Sequence, residues 1–292
     1  FNFEIIIYDD ASTDNTANII KKYQLEYPHI IKPIFQTENQ YSKGIKTSTF
    51  AFARAKGKYF AVCEGDDYWT DPLKLQKQVD YLEKHPDCSM CFHDAILVNV
   101  DNKLLGKFKG SYSRVEGIKN IDELRFIPTA SKVFRRECFD KAPKWCEQSP
   151  YGDFANMLVC SNFGYIYYLN EIMSAYRTNV PGSAMDMVRK NSKVNIESQI
   201  PIYISRINEL NCYNEWSNYK NDKYVQKLLL HAKFKLFVLQ RNLKELKKEE
   251  YQHFFKEMGF WRRFKTFLWL YTPKSFYDLL LKVRDYFSSL IK

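Results

Sequence analysis

Two acidic clusters, Asp9-Asp10 and Glu64-Gly65-Asp66-Asp67, each close a short run of β-forming residues and stand ahead of a helical one. That placement constrains the fold more than any other feature of the chain. Glu4 to Tyr8 ends at the first cluster, and from Ser12 the chain reads as a helix start. Ser12 or Asp14 caps the amides there, ahead of the apolar positions Ile19, Ile20 and Tyr23. A second strand fits Ile30 to Phe35, helical character follows at Thr47 to Ala55, and a third strand runs from Tyr59 to Cys63 into the second cluster. Leu75, Val79 and Leu82 share one stripe of a helix over Leu73 to Leu82, and Cys88 to Val100 is again strand-like. Further strands fit Ala130 to Phe134 and Tyr165 to Leu169, with a helix at Phe154 to Cys160 between them. Alternating strands and helices predict an α/β domain with a mainly parallel sheet. Ligands of such sheets bind beyond the carboxyl ends of the strands, where both acidic clusters fall.

Beyond about Pro181 only helical periodicity remains. Val225, Leu228, Leu229, Ala232, Leu236, Leu239, Leu243 and Leu246 form one stripe, and Phe276, Leu279, Leu280, Val283, Phe287, Leu290 and Ile291 form another. The expected division is a catalytic domain over residues 1–185 and a helical region over 186–292. The chain opens with Phe1-Asn2-Phe3-Glu4 running straight into a strand, without an initiator Met, so an upstream segment is expected to be missing.

The net charge of +10, from 44 Lys and Arg against 34 Asp and Glu, admits three partners: nucleic acid, an anionic membrane face, or phosphorylated small molecules. Zinc spacing, an RNP-like pattern and a basic helix with base-reading residues are all absent from the sequence, which argues against nucleic acid. The seven cysteines are odd in number and scattered, as in a reduced cytosolic protein. Cys88-Ser-Met-Cys91 has no second pair at zinc spacing and reads as small buried residues. No apolar run approaches the roughly 18 residues of a membrane span, so the expected location is the cytoplasm, at or near the inner face of the membrane.

Sugar transfer from a nucleoside diphosphate requires recognition of the nucleoside, neutralisation of the leaving diphosphate, and a base for the acceptor hydroxyl. Glu64 and Asp66 supply carboxylates for a hard divalent cation shared with phosphate oxygens, with Gly65 letting the backbone pass close to a ligand and Asp67 assisting through water. Acidic residues at strand ends also cap following helices, and that reading stands beside the first. Asp9 and Asp10 likewise suit either a base or ribose contact or a structural role.

The ordered set Glu4-Ile-Ile-Ile-Tyr-Asp-Asp-Ala-Ser-Thr-Asp14-Asn-Thr, Ala55-Lys-Gly-Lys-Tyr-Phe60 and Glu64-Gly-Asp-Asp-Tyr-Trp-Thr-Asp-Pro-Leu-Lys-Leu75 resembles glycosyltransferase family 2 with its GT-A fold, over about residues 3–182. The resemblance implies an inverting hexosyltransferase-type enzyme that uses Mn²⁺ or Mg²⁺. The favoured donor is a UDP-sugar, and the acceptor is a glycan or lipid-linked glycan in bacterial surface polysaccharide synthesis. It implies donor contacts from Asp9, Asp10, Glu64, Asp67, Arg177 and Lys43, with Lys46 comparable to Lys43. Metal ligation falls to Asp66 with Glu64 and proton abstraction to Asp153 in Tyr151-Gly-Asp-Phe154, a residue that also suits a helix N-cap; Trp69, beside the metal motif, suits stacking on an acceptor sugar or a place in the core. Glu64 stands where the family has Asp, and the family's first strand has no counterpart here. A non-catalytic GT-A-like module that binds nucleotide or glycan is the alternative. Phe260-Trp-Arg-Arg-Phe-Lys-Thr-Phe-Leu-Trp-Leu-Tyr271, with Lys282, Arg284 and Lys292 further on, suits either an interfacial helix or one packed on the rest of the protein.

Overall fold

The computed structural model describes residues 1–108, 127–149, 152–180, 183, 196–277 and 279. Expectations resting on Tyr151, Pro181 and Gly182, on the segment around residue 185, and on Leu280, Lys282, Val283, Arg284, Phe287, Leu290, Ile291 and Lys292 fall outside those residues. Two compact units divide the chain, residues 1–183 with 212–221 and residues 184–211 with 222–292.

In the first unit β1 (Ile5–Asp9) pairs in parallel with β2 (Ile31–Phe35), and α1 (Thr16–Glu26) makes the crossover that parallel pairing requires. Asp14 starts the helix by accepting the Thr16 amide at 2.9 Å. After α2 (Ser48–Arg54), a six-stranded sheet assembles from β3 (Tyr59–Ala61), β4 (Tyr68–Trp69), β5 (Cys88–Val98), β6 (Leu104–Lys107), β7 (Val133–Arg135) and β8 (Tyr165–Arg177). Its order is β3-β7-β5-β8-β4, with β6 paired to β5. α3 (Lys74–Lys84), α4 (Arg136–Asp140), α5 (Trp145–Gln148) and α6 (Gly152–Phe163) complete the unit.

The sheet is mixed, not mainly parallel. Of the pairings, β1 with β2 and β5 with β8 are parallel, and the other four are antiparallel. The short strands account for the difference. β6 returns from β5 through a tight turn in which Asn102 takes φ 60° and the Asn99 side chain accepts the Asp101 and Lys103 amides at 3.0 and 2.8 Å. β4 and β7 are two and three residues long and join the sheet from loops. None of these carries the helical periodicity that signals a crossover.

β8 also runs beyond its expected end at Leu169. Exposed Asn170 and Glu171 mimic a terminus in sequence, but they form an irregularity in the ladder: His93 pairs with Leu169, and the next residue, Asp94, pairs with Ile172. The continuation carries Tyr176 and Arg177 to the second acidic cluster.

Leu82, Cys88, Cys91 and Val133 are fully buried at the heart of this unit, with Tyr59, Leu75, Tyr81 and Tyr165 packed against them. Cys88 and Cys91 thus act as small apolar side chains. α2 joins the two sheets through alternate side chains. Phe50 stacks on Tyr8 with centroids 5.5 Å apart, and Phe52 meets Phe60 at 5.0 Å and Phe139 at 5.1 Å.

Gly164 ends α6 where the chain turns into β8, and a Cβ there would lie 2.2 Å from the Asp87 carbonyl oxygen. That same oxygen accepts the Tyr165 amide at 3.1 Å, so backbone would have to move on both sides. Gly164→Ala is expected to destabilise the protein by at least about 1–3 kcal/mol. A lower urea midpoint at unchanged slope is the signature, and an unchanged midpoint would refute it.

The second unit is helical. α7 (Ile200–Trp216) spans the division between the units, and α8 (Asp222–Leu239), α9 (Leu243–Leu246), α10 (Glu249–Glu257) and α11 (Phe260–Tyr271) follow. The stripe from Val225 to Leu246 is continuous in sequence but divides between two helices. Arg241 adopts φ 53°, and Asn242 begins α9 by accepting the Glu245 amide at 3.2 Å. Phe234, Leu246, Tyr251, Trp269 and Leu270 form the core, with the Trp269 indole N–H donating to the Val238 carbonyl at 2.7 Å. Each such buried large side chain contributes about 1.5–3 kcal/mol. No helix among the described residues is long and apolar enough to cross a membrane.

Candidate active site

β1 delivers the first acidic cluster and β3 the second. Asp9, the last residue of β1, is 5% exposed, and its Oδ1 is buried without a hydrogen-bond partner among the described residues. Burying a carboxylate oxygen unpaired costs free energy unless a ligand or water meets it. Asp10 is engaged by the protein itself. Its Oδ1 accepts the Gln40 amide at 2.8 Å and the Tyr8 hydroxyl at 3.2 Å, and its Oδ2 accepts the Tyr41 amide at 2.9 Å. Burial alone would raise the Asp10 carboxyl, but these donors outweigh it and hold the group below its ordinary range. Asp10 therefore pins the loop after β2 to the end of β1. Within that loop Lys43 forms an ion pair with Glu38.

The loop from Glu64 to Asp67 is held from β8. Asp67 is buried, its Oδ1 accepts the Arg177 amide at 2.8 Å, and its Oδ2 is buried without a partner among the described residues. The Arg177 guanidinium donates from Nε to the Asp66 carbonyl at 2.8 Å and from Nη1 to the carbonyls of Asn99 and Val100 at 2.9 and 3.2 Å. Arg177, expected from sequence to meet diphosphate, thus clamps the acidic loop to the turn after β5. The Asp66 carboxylate is exposed, with no protein partner among the described residues.

Asp153 lies in the first turn of α6, where acidic groups are favoured. Its Oδ1 pairs with Lys132 Nζ at 2.7 Å, and Thr129 donates to its Oδ2 at 3.5 Å. Lys132 is buried and Asp153 half exposed, so the lysine anchors the carboxylate while the acid stays open to solvent. Lys46 lies against the same helix start, since a Cβ on Gly152 would be 2.8 Å from its Cε. Its Nζ donates to the Cys146 carbonyl at 3.0 Å.

These groups share one electrostatic field. Glu64 is reachable by water, yet protein surrounds most of its carboxyl. Desolvation raises its pKa to about 7, and the charges of Asp153, Asp67 and Asp66 add to the shift. Asp67 is pushed up to about 6 by burial and by Asp66, against the Arg177 amide that lowers it. The Tyr176 hydroxyl is raised to about 12 by burial and then by Glu64, Asp67, Asp66 and Asp153. Glu64 and Asp67, raised by burial and then by the charge of acidic neighbours, stand where a cation would be stabilised. Among the described residues no three acidic, His or Cys side chains are grouped to hold an ion by themselves. A hard cation that takes one or two carboxylates and completes its shell with phosphate oxygens and water needs no larger group.

Trp69 is 37% exposed, its indole N–H donates to the Ala130 carbonyl at 3.0 Å, and Lys74 Nζ lies 4.4 Å from its ring centroid. The ring is thereby fixed from one face and along its edge, with part of its surface left to solvent. Sequence reasoning missed Lys132, Thr129 and Tyr176. A lysine inside the apolar run Ala130 to Phe134 was the available signal for the first, because a buried lysine requires a partner.

Residues 1–142 match the family model Glycosyl transferase family 2. The Mycobacterium tuberculosis protein Rv1520 is 37% identical over 185 residues, which is 62% of this chain and 52% of Rv1520. WfaP of Escherichia coli, a UDP-Glc:alpha-D-GlcNAc-diphosphoundecaprenol beta-1,3-glucosyltransferase, is 40% identical over 83 residues, 28% of this chain and 30% of WfaP. The chain spans about half the length of the first curated relatives it matches, 52%. Among solved structures, TarS 1-349 of S. aureus superposes with a TM-score of 0.54 at 14% identity, covering 92% of this chain and 69% of that one. Over residues 1–142 the chain is thus similar to family 2 glycosyltransferases, and its fold is that of a GT-A domain with a helical region after it.

Proposed function

We propose that this chain transfers a hexosyl group from a nucleoside diphosphate sugar to a glycan hydroxyl with inversion, in the synthesis of a bacterial surface polysaccharide. One observation carries the reading: Asp153, from the start of α6, stands in the same electrostatic field as the Glu64 to Asp67 loop and Tyr176. In this reading the acceptor oxygen attacks the anomeric carbon from the face opposite the diphosphate. The bond from that carbon to the phosphate oxygen breaks, and the nucleoside diphosphate departs with the bonding pair. Asp153 takes the acceptor proton, and Lys132 and Thr129 hold its carboxylate in place. A divalent cation, Mn²⁺ or Mg²⁺, held by Asp66 and Glu64 would neutralise charge on the leaving diphosphate.

Asp9 offers its unpartnered oxygen to the nucleoside, and Lys46, which lies against the start of α6, is nearer Asp153 in the fold than Lys43, paired with Glu38. Trp69 offers its free surface to a sugar ring of the acceptor. WfaP names a UDP-sugar donor and a diphosphoundecaprenol-linked acceptor, which supports UDP and a lipid-linked glycan here.

Calorimetry with UDP, GDP and dTDP, each with and without Mn²⁺, tests the donor side. Metal-dependent binding of one nucleotide, weakened by about tenfold or more in Asp66→Ala, is the expected result and names the base. Binding indifferent to both metal and Asp66 would overturn the metal assignment, and binding without turnover on any glycan would leave a non-catalytic module.

A further inference from the structure

The exposed face of α11 forms a second functional surface, independent of the transfer reaction. Phe260 and Trp261 are 74% and 70% exposed, and Phe264, Phe267 and Tyr271 are 48%, 40% and 62% exposed. On a helix that turns about 100° per residue, Phe260, Phe264, Phe267 and Tyr271 share one arc, with Trp261 at its margin. Trp269 and Leu270 lie on the remainder of the circumference and are buried at 2% and 6% in the helical core. The core is thus already served by the opposite face, and the aromatic arc remains in solvent.

Basic residues border that arc on both sides. Lys265 follows Trp261 around the helix and is exposed, and Arg263 lies across the arc, where its Nη2 donates to the carbonyls of Lys256 at 2.8 Å and Met258 at 3.3 Å. α11 contains no acidic residue. Contiguous exposed aromatics mark a contact surface, and its charge selects the partner. A second copy meeting this face in two-fold symmetry would bring Arg263 and Lys265 of each helix together with no acid of α11 to pair them.

We propose that α11 docks this chain on an anionic lipid bilayer, lying in the plane of the interface without crossing it. The phenyl rings enter the boundary between headgroups and acyl chains, Trp261 and Tyr271 sit at headgroup level, and Lys265 meets lipid phosphates.

Co-sedimentation of the whole chain with phosphatidylglycerol-containing vesicles, and with pure phosphatidylcholine, tests this. Binding should require the anionic lipid and fall about fivefold or more in Lys265→Gln. It should be lost in Trp261→Ser/Phe264→Ser, whose circular dichroism and unfolding midpoint stay unchanged because both side chains are exposed. Brominated lipid should quench tryptophan fluorescence in the wild type, and Trp261→Phe should abolish that quenching. Three results would overturn the proposal: wild-type protein left in the supernatant, undiminished binding by Trp261→Ser/Phe264→Ser, or conversion of a dimer to a monomer by those substitutions in the absence of lipid.

Discussion

Asp153→Asn is expected to lower kcat by about 10²–10⁴-fold, the range for loss of a positioned general base, while nucleoside diphosphate affinity stays within a factor of about two. The two readouts separate because Asp153 is tied to Lys132 and Thr129, while Asp9 and Asp10 stand at the end of β1. Asn keeps an oxygen that accepts from Lys132, so α6 keeps its start, but the amide takes no proton. Asp153→Ala would confuse the outcome by leaving the buried Lys132 ammonium unpaired, a loss of stability in its own right. Equal loss of nucleotide binding and turnover in Asp153→Asn would place the residue in donor recognition. Unchanged turnover would remove it from the chemistry. Lys132→Met is a companion variant: the base is still present but unanchored, so kcat should fall less than in Asp153→Asn.

The sequence carried the elements that use strong local signals. The crossover from β1 through α1 to β2 was legible because β-branched runs and a capped helical stripe alternate there, and the same holds for α3 and most of β5. What escaped was set by tertiary context. The extension of β8 past Asn170-Glu171 is invisible locally, since two exposed polar residues look alike at a strand end and at a ladder irregularity. That extension shapes the site: it makes Arg177, the candidate diphosphate contact, a clamp on the acidic loop as well and adds Tyr176. Asp10 teaches the same lesson. Two adjacent aspartates at a strand end are equivalent in sequence, and only the amides of Gln40 and Tyr41 show that Asp10 holds a loop while Asp9 keeps an unpartnered oxygen.

Lys74→Met is expected to remove a pH dependence of stability that the wild-type chain shows above neutrality. Lys74 is 1% exposed, donates to Gln78 Oε1 at 2.8 Å and lies over Trp69. Gln78 in turn donates to the Ser131 carbonyl at 2.9 Å. Burial pushes the ammonium down from 10.5 to about 8. The native state therefore releases this proton at about pH 8, whereas the unfolded chain holds it to about 10.5, so the unfolded state binds more protons between those values. Stability then rises with pH across that window. The shift from 10.5 to about 8 is 2.5 units, which corresponds to about 3 kcal/mol of destabilisation below pH 8. Tyr and Cys groups titrate in the same range, so the difference between wild type and Lys74→Met isolates the lysine. Urea unfolding at intervals from pH 7 to above 10 should show wild type gaining about 3 kcal/mol on the variant. Leaving Gln78 Oε1 unpaired in Lys74→Met costs about 1–3 kcal/mol at every pH and shifts the curve without tilting it. A flat difference would mean that the lysine is not charged and buried in the native state. A tilt accompanied by a higher acceptor KM would connect the penalty to function: the ammonium that weakens the fold lies over the Trp69 ring, where an apolar side chain would pack without orienting it.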